Sequence, residues 1–592
     1  MNNLESKKVF LATTAMEEFW VTTLPIVFLG EWCLLYERRL ELKCIKGRLL
    51  SSPYVSYDAS LDAHHYIHNL YENLLPQMGD VLNIIHGKQY SKRYWRIVIG
   101  PWLQLYLSAV YDRYVYIKHA LDQIPNLTST CLSDKSFVVP VDTWEFTCHL
   151  FGDFYNLQLY SKIFSILGKD FPCKESIAPN ISLYKKLHQE SWIRKCINGL
   201  INAYINFRSI LPRTIFLKNS YFPAIVILKF ITKYFIGILP SSNKMKSCPR
   251  FECDNKKRNI LRSVEVENSD FGRCLVDMLC EDIPQCFIEG FEFLESTSIK
   301  SYPNEVNAIF SANAWYYDEV FKHWAAKSAE RGVVLAGTQH GADYGTLKTM
   351  PSEEHETSIL DNYFSWGWSR KDCVAKVIPM PATKLIGRKK LLADNNKDGV
   401  LWVGTTAPRY HSIEPSTWNS NFKIYLDWQA RFLKALNPNI INHVSFRPHY
   451  ADHGWGILRR IKDIYPNMRV DSWESSFRDS LERCRLYVCD HCSTTFAEAL
   501  SVNKPTILFW NPLANELRAD AKPYFDSLRK NGILFDTPEF AADAVSKIYE
   551  DVESWWGDPD RQQSVTSFCE QFACTSENTI KLWGDELEML SG

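Results

Sequence analysis

The sequence predicts an α/β protein of two domains, the second a doubly wound parallel sheet, with a helical insertion in the first. Three observations predict it. The chain has 592 residues, whereas a single hydrophobic core stops growing at about 250–300 residues. Short apolar runs alternate with amphipathic stretches, and the runs end in polar or glycine-rich residues, as parallel strands do where their carboxyl tips carry a site. Residues Leu392–Gly399 (LADNNKDG) are polar and turn-rich, and a second strand-first pattern starts directly after them. The domains are drawn at 1–392 and 393–592, with a basic helical insert at about 184–260.

In the first domain Lys8–Thr14 (KVFLATT) reads as a buried strand ending in a polar turn, followed by a helix over Ala15–Trp20. A second apolar run, Ile26–Leu29, ends at Gly30-Glu31-Trp32. Thr13, Thr14, Glu17, Glu31 and Trp32 therefore collect at the tips of the first two strands. Asn69–Ile85 and Trp102–Leu121 are the clearest amphipathic helices. Ala308–Ser311 and Val333–Gly337 read as strands around a helix over Trp315–Arg331. The second strand breaks into Thr338-Gln339-His340-Gly341-Ala342-Asp343-Tyr344-Gly345, a small-residue loop that permits close approach of a ligand to the backbone. A plain turn reads the same way. Glu353, Glu354 and Glu356 beyond it read as a solvated acidic cluster, with one of them as an alternative base in the cleft.

Between Tyr184 and Arg250 the lysines and arginines face a single acid, Glu190, and are interleaved with aromatic residues. That composition fits a patch for an anionic membrane surface, and equally the solvated face of a helical insert. Tyr221–Pro240 is its most apolar stretch. Lys229 and Lys233, each costing about 2.5–3.5 kcal/mol at a bilayer centre, favour a buried or surface-lying helix over a span. No secretory signal is read at the start, where Glu17 and Glu18 interrupt the apolar stretch. The 17 cysteines read as reduced thiols of a cytosolic protein. A net charge of −1 gives no electrostatic case for nucleic acid.

In the second domain the strands are Val400–Val403, His443–Phe446, a short one at Val470, Leu486–Cys489 and Pro505–Phe509. Helices over Tyr425–Leu436, Phe477–Cys484 and Thr495–Ser501 separate them, and a helical tail follows. The strongest constellation is Asp490-His491-Cys492-Ser493-Thr494-Thr495, between a buried strand and a helix. Free amides at a helix amino terminus, with hydroxyls around them, make an anion site for a phosphate or diphosphate. Glu498 suits either a ribose contact or a capping box with Thr495. Arg409, Arg447 and His449 stand at neighbouring strand tips, where an arginine can fork onto phosphate oxygens. Cys489 and Cys492 have metal-like spacing but no second pair, so buried thiols are the better reading. Walker A, GxGxxG and HExxH patterns are absent, and no clear DxD lies at a strand tip, so no metal is expected.

At these residues the chain resembles known families. The Arg447-Pro448-His449 turn, TTFAEAL at Thr494–Leu500 and the strand after Lys504-Pro505-Thr506 are similar to the nucleotide-binding half of bacterial capsule Kdo transferases and CDP-glycerol polymerases. Over nearly the whole chain it resembles transferases encoded in O-antigen and surface-carbohydrate gene clusters. The matching stretches are FLATTAMEEFW, FLGEWC, IGPWLQLYLSAVYDRY, GTQHGADYG, YFSWGW, TTFAEAL and KPTILFW. Sequences of that kind often carry a second glycine where Ala342 stands.

The resemblance implies a GT-B-like fold, two Rossmann-like domains facing a cleft, with 1–392 on the acceptor side and 393–592 holding a nucleotide sugar. It implies a metal-independent glycosyltransferase that uses the nucleotide sugar as co-substrate, with no other cofactor. The acceptor would be a saccharide or lipid-linked saccharide of the O-antigen or capsule kind, met in the cytoplasm or at the inner face of the membrane. On that reading Arg409, Arg447, His449, Asp490, Ser493, Thr494, Thr495 and Glu498 bind the donor. Thr13, Thr14, Gln339 and Gly341 line the acceptor side, and Glu17, Glu31 and His340 are candidate bases for the acceptor hydroxyl. A polyol-phosphate transferase with a CDP-activated donor and a non-catalytic carbohydrate-binding subunit are the alternatives.

Overall fold

The computed structural model describes residues 8–592 apart from 55, 181–213, 235, 242–244, 389, 392 and 411–421. Its first sheet has four parallel strands, β1 (Val9–Ala12), β2 (Ile26–Phe28), β3 (Gly47–Leu49) and β4 (Leu127–Thr128), in the order β3-β2-β1-β4. The helix expected over Ala15–Trp20 is a single 3-10 turn, Glu17–Phe19. Trp20 folds back to donate its indole N–H to the Thr14 carbonyl at 2.9 Å, which fits a segment closed after one turn. The amphipathic stretches belong to longer helices, Tyr57–His86 and Lys92–Gln123, with Ser56 and Ser91 as their N-caps. Gly87, at φ 60, ends the first of them in the left-handed conformation that glycine adopts freely. A short parallel pair, β5 (Cys131–Leu132) and β6 (Cys173–Lys174), follows.

The middle sheet comprises β7 (Thr214–Lys218), β8 (Gly237–Ser241), β9 (Ala308–Ser311), β10 (Val334–Thr338), β11 (Asn362–Ser365) and β12 (Lys376–Pro379). All its pairings are parallel, in the order β12-β11-β10-β9-β7-β8. The strand order reverses between β7 and β9, and ligands of open α/β sheets settle at such a switch point. Two of these strands come from the segment expected as a helical insert: β7 and β8 flank one helix, Ala224–Tyr234. The Tyr221–Pro240 stretch is thus helix followed by strand. A strand buried on both faces reads as one apolar run, and periodicity alone does not tell it from buried helix. Residues 181–213, with many of the basic side chains, lie outside the described residues.

The C-terminal sheet holds β13 (Val400–Val403), β14 (Val444–Arg447), β15 (Arg469–Val470), β16 (Leu486–Cys489), β17 (Thr506–Phe509) and β18 (Leu534–Phe535). Their order, β15-β14-β13-β16-β17-β18, is the Rossmann order, and all pairings are parallel. The last helix, Thr579–Ser591, returns to the middle sheet. Trp583 on it is fully buried against Phe222, Phe310 and Phe364, and its indole donates to the Pro381 carbonyl at 2.8 Å. Trp583→Phe keeps the ring packing but leaves that carbonyl without its donor. Urea unfolding is expected to report a loss of about 1–2 kcal/mol. Two Rossmann-like parallel sheets with their tips facing, joined by a returning helix, make the GT-B-like α/β fold. Among the described residues no helix is long and apolar enough to cross a membrane.

Candidate functional site

β16 leads directly into Asp490, whose carboxylate accepts from Trp402 Nε1 at 3.0 Å, the Tyr425 hydroxyl at 2.9 Å and Gln429 Nε2 at 2.8 Å. His491 Nδ1 lies 2.9 Å from the same carboxylate. Asp490 therefore fixes the strand tip from beneath. The chain then turns and enters helix Thr494–Ser501, with Ser493 as an extended N-cap residue whose side chain makes no capping bond. The first amides of the helix stand free of a side-chain cap. No capping box forms, because Glu498 is paired at 2.9 Å with both Lys384 and Arg388 of the chain following the middle sheet. Thr495 turns partly inward, 3.8 Å from Cys489 Sγ. Cys489 and Cys492 are buried free thiols.

Burial alone would depress the His491 imidazole, but Cys489 and the Asp490 carboxylate beside it raise it from its ordinary 6.5 to about 10. Because the folded value lies above the unfolded one, the stabilisation is complete below about pH 6.5 and is lost as pH climbs through the folded value. Urea midpoints of the wild type should therefore fall between about pH 7 and about pH 10. Those of His491→Asn should run flatter across the same window.

The loop after β10 stands opposite this helix. A Cβ on Gly341 would lie 3.4 Å from Thr494 Oγ1 and 2.5 Å from Asp343 Oδ1, so a side chain there would crowd both. Gln339 is fully buried and shapes the loop from below. Its Nε2 donates to the Gly341 carbonyl at 2.7 Å, while its Oε1 accepts from the Trp366 amide at 2.8 Å and Trp368 Nε1 at 2.7 Å. The Gly345 amide donates to Glu353 at 2.6 Å, and Arg370 and Arg518 bind the same carboxylate at 2.8 and 3.2 Å. His340 has Nε2 3.3 Å from the Tyr344 hydroxyl and Nδ1 3.8 Å from Glu356 Oε1. Burial lowers this imidazole to about 4, so it is neutral at neutral pH. Glu356 is fully buried, accepts from the Tyr344 hydroxyl at 3.3 Å, and is pushed well above the ordinary carboxyl range by burial. The solvated acidic cluster expected at Glu353, Glu354 and Glu356 is thus corrected. Helix Pro351–Ile359 turns Glu353 and Glu356 inward, where arginines and a tyrosine hydroxyl receive them.

Beside the loop, at the switch point of the middle sheet, Asn219 has φ 50 and Tyr221 φ 60. For a tyrosine this is a rare conformation, and such outliers cluster at binding sites. Asn219 Nδ2 donates to Asn313 Oδ1 at 3.0 Å, and Asn313 Nδ2 donates to the Tyr221 hydroxyl at 2.9 Å. Asn219 and Tyr221 are not legible as site residues in the sequence, because β7, which they follow, lies in the segment expected as a helical insert.

The remaining expected site residues bind protein. Thr13 and Thr14 are buried, and their carbonyls accept the indole N–H groups of Trp32 and Trp20 at 2.9 Å. Glu17 pairs with Arg38 at 2.9 Å and Glu31 with Lys423 at 2.6 Å. Arg409 donates from Nη2 to Asp153 at 2.6 Å, from Nε to the His453 carbonyl at 2.8 Å and from Nη1 to the Trp32 carbonyl. Arg447 donates to Asp471 at 2.8 Å and to the Ser475 carbonyl at 3.1 Å, and stacks on Trp473 with 4.4 Å to the ring centre. Both arginines were expected at phosphate. Here each is held by a carboxylate and a carbonyl, the partners a buried cation needs. His449 sits in its own turn, Nδ1 3.2 Å from the Ala451 amide, and burial lowers its imidazole. Among the described residues no three His, Cys, Asp or Glu side chains gather in a metal-holding group.

Fold and site together define a GT-B-like scaffold in which a glycine loop packs against a helix amino terminus. The sequence model of the LIC12162 family transferases matches residues 9–587, and the chain belongs to that family. No curated protein matches it in sequence. Among solved structures, MurG from Acinetobacter baumannii is similar at 9% identity, over 64% of this chain and 100% of its own, with a TM-score of 0.30. UDP-GlcNAc 2-epimerase from Neisseria meningitidis matches at 11% identity, over 64% and 99%, with a TM-score of 0.35. The UDP-forming trehalose-phosphate synthase from Burkholderia vietnamiensis matches at 9%, over 64% and 99%, with 0.33.

Proposed function

We propose that the chain is a glycosyltransferase that moves a sugar, without a metal, from a nucleotide-activated donor to a saccharide or lipid-linked saccharide of the O-antigen or capsule kind. Residues 393–592 would hold the donor and residues 1–392 the acceptor, at or near the inner face of the cytoplasmic membrane. The observation that carries this reading is the uncapped amino terminus of helix Thr494–Ser501 held against Gly341. Its amides, the hydroxyls of Ser493 and Thr494 and the positive end of the helix dipole suit a donor diphosphate. As the glycosidic bond to phosphate breaks, charge grows on the leaving oxygen, and the same amides stabilise it. On the opposite wall His340, neutral at pH 7, accepts the proton of the acceptor hydroxyl. The amides and hydroxyl of Asn219, Asn313 and Tyr221 are placed to orient sugar hydroxyls. Glu17 and Glu31 fall behind His340 as bases because each is already held by a cation.

Thermal shift against UDP-, GDP-, CDP-, dTDP- and CMP-sugars tests the reading. One base class, at about 100 times its Kd, should stabilise the protein by about 2.7 kcal/mol. A folded protein that none of them shifts would remove the donor site. Turnover of a CDP-polyol with no response to any sugar nucleotide would move the assignment to polyol-phosphate transfer. Binding without turnover in the presence of acceptor would favour a carbohydrate-binding subunit.

A further inference from the structure

Helix Ala224–Tyr234 begins three residues after Tyr221, at the mouth of the switch point. It buries Val226 and Phe230 against the middle sheet and turns a mixed face outward. On that face Ile225 is 60% and Leu228 53% exposed, one helical turn apart. Lys229 and Lys233 are exposed beside them, and the helix carries no acid. Tyr221, at its entrance, is also exposed. The last helix packs alongside, with Gly584 against the Tyr234 ring, and exposes Leu582 and Met589. Its Asp585 is held by Lys581 at 2.8 Å, while Glu586 is half-buried and Glu588 is exposed.

A single exposed leucine needs no explanation. Two large aliphatic side chains on one short face, bordered by lysines and free of acid, have the chemistry of a helix lying in a membrane interface. At 11 residues the helix is too short to cross one. A protein partner would have to supply both an apolar socket and acids for the lysines, whereas an anionic bilayer offers acyl chains and phosphates in that layering.

We propose that helix Ala224–Tyr234 docks this protein on an anionic phospholipid bilayer, with Ile225 and Leu228 at the acyl-chain boundary and Lys229 and Lys233 at the lipid phosphates. Docking there brings the β7 tip, and the acceptor side of the cleft, to the surface on which a lipid-linked saccharide is carried. Only this purpose rests on the transferase reading. The lipid contact is measured without donor, so either idea can fail while the other stands.

The test is flotation of the full chain with phosphatidylcholine vesicles containing about 30% phosphatidylglycerol, at low and high salt. The wild type should float, and less at high salt. The double variant Ile225→Asp/Leu228→Asp should partition at least about tenfold less. Lys229→Glu/Lys233→Glu should lose roughly tenfold or more and most of the salt dependence, since each lysine near such a surface contributes about fivefold. All four side chains are exposed, and thermal melts would confirm that the variants fold. A wild type that stays at the bottom of the gradient overturns the proposal. So do variants that float as well as the wild type. The proposal is overturned equally by a wild-type dimer that the aspartate variant dissolves without any vesicle binding, which would make a second copy the occupant of this face.

Discussion

Thr494→Asp should leave the protein folded, with stability little changed, and lower its affinity for a nucleotide sugar by roughly a thousandfold. Thr494 is the first residue of its helix and half-buried beside the Gly341 loop, and no hydrogen bond of the described residues engages its hydroxyl. An acid in the first turn of a helix meets the positive end of the dipole and contributes about 0.3–1 kcal/mol. The same carboxylate would stand about 4 Å from a bound phosphate, where like charges repel by about 4 kcal/mol at an effective dielectric constant near 20. The Asp343 carboxylate, close by at Gly341, opposes that gain, so stability should change little while binding is lost. Urea unfolding and calorimetric titration on the same preparation would read both. A variant that loses stability along with binding would point to ordinary misfolding.

Arg409→Met should cost about 3–5 kcal/mol. The side chain is 6% exposed and joins three parts of the fold: the β2 tip through Trp32, the helix beginning at Asp153, and the turn at His453. Among the described residues, removing it leaves the Asp153 carboxylate the Ala15 amide, at 3.0 Å, and the Tyr410 hydroxyl. Asp153→Asn in the same chain removes the abandoned charge, so the double variant should recover a good part of the loss. A loss under about 1 kcal/mol in the single variant would mean that the pair behaves as a surface ion pair and that Arg409 is free to serve a ligand.

The contrast between these two residues shows what a sequence makes legible. The strand–turn–helix unit at Leu486–Ser501 was readable because its signal is local: a buried run, a polar tip, hydroxyls, then an amphipathic helix. The alternation of the C-terminal sheet was readable for the same reason. Arg409 and Arg447 looked equally good, since each follows a strand. Their partners decide what they do, and Asp153 lies far away in the chain while Asp471 directly follows β15, the strand paired with β14. Periodicity carries no information about such pairs. Glu353 and Glu356 failed in the opposite sense. Acids near the start of a helix read as solvated, yet Arg370, Arg518 and Tyr344, brought in by other elements, let them be buried. β7 and β8 were hidden because strands covered on both faces lose the alternation that would mark them. The switch-point residues Asn219 and Tyr221 were hidden with them.

Hydrogen–deuterium exchange in the presence of each sugar-nucleotide class tests the central claim most directly. The account predicts that one class slows exchange at two places together, the helix start at residues 491–497 and the opposing loop at residues 338–346, because a donor in the cleft touches both walls. Protection at only one of them, at neither with any class, or at a surface away from the cleft would contradict it.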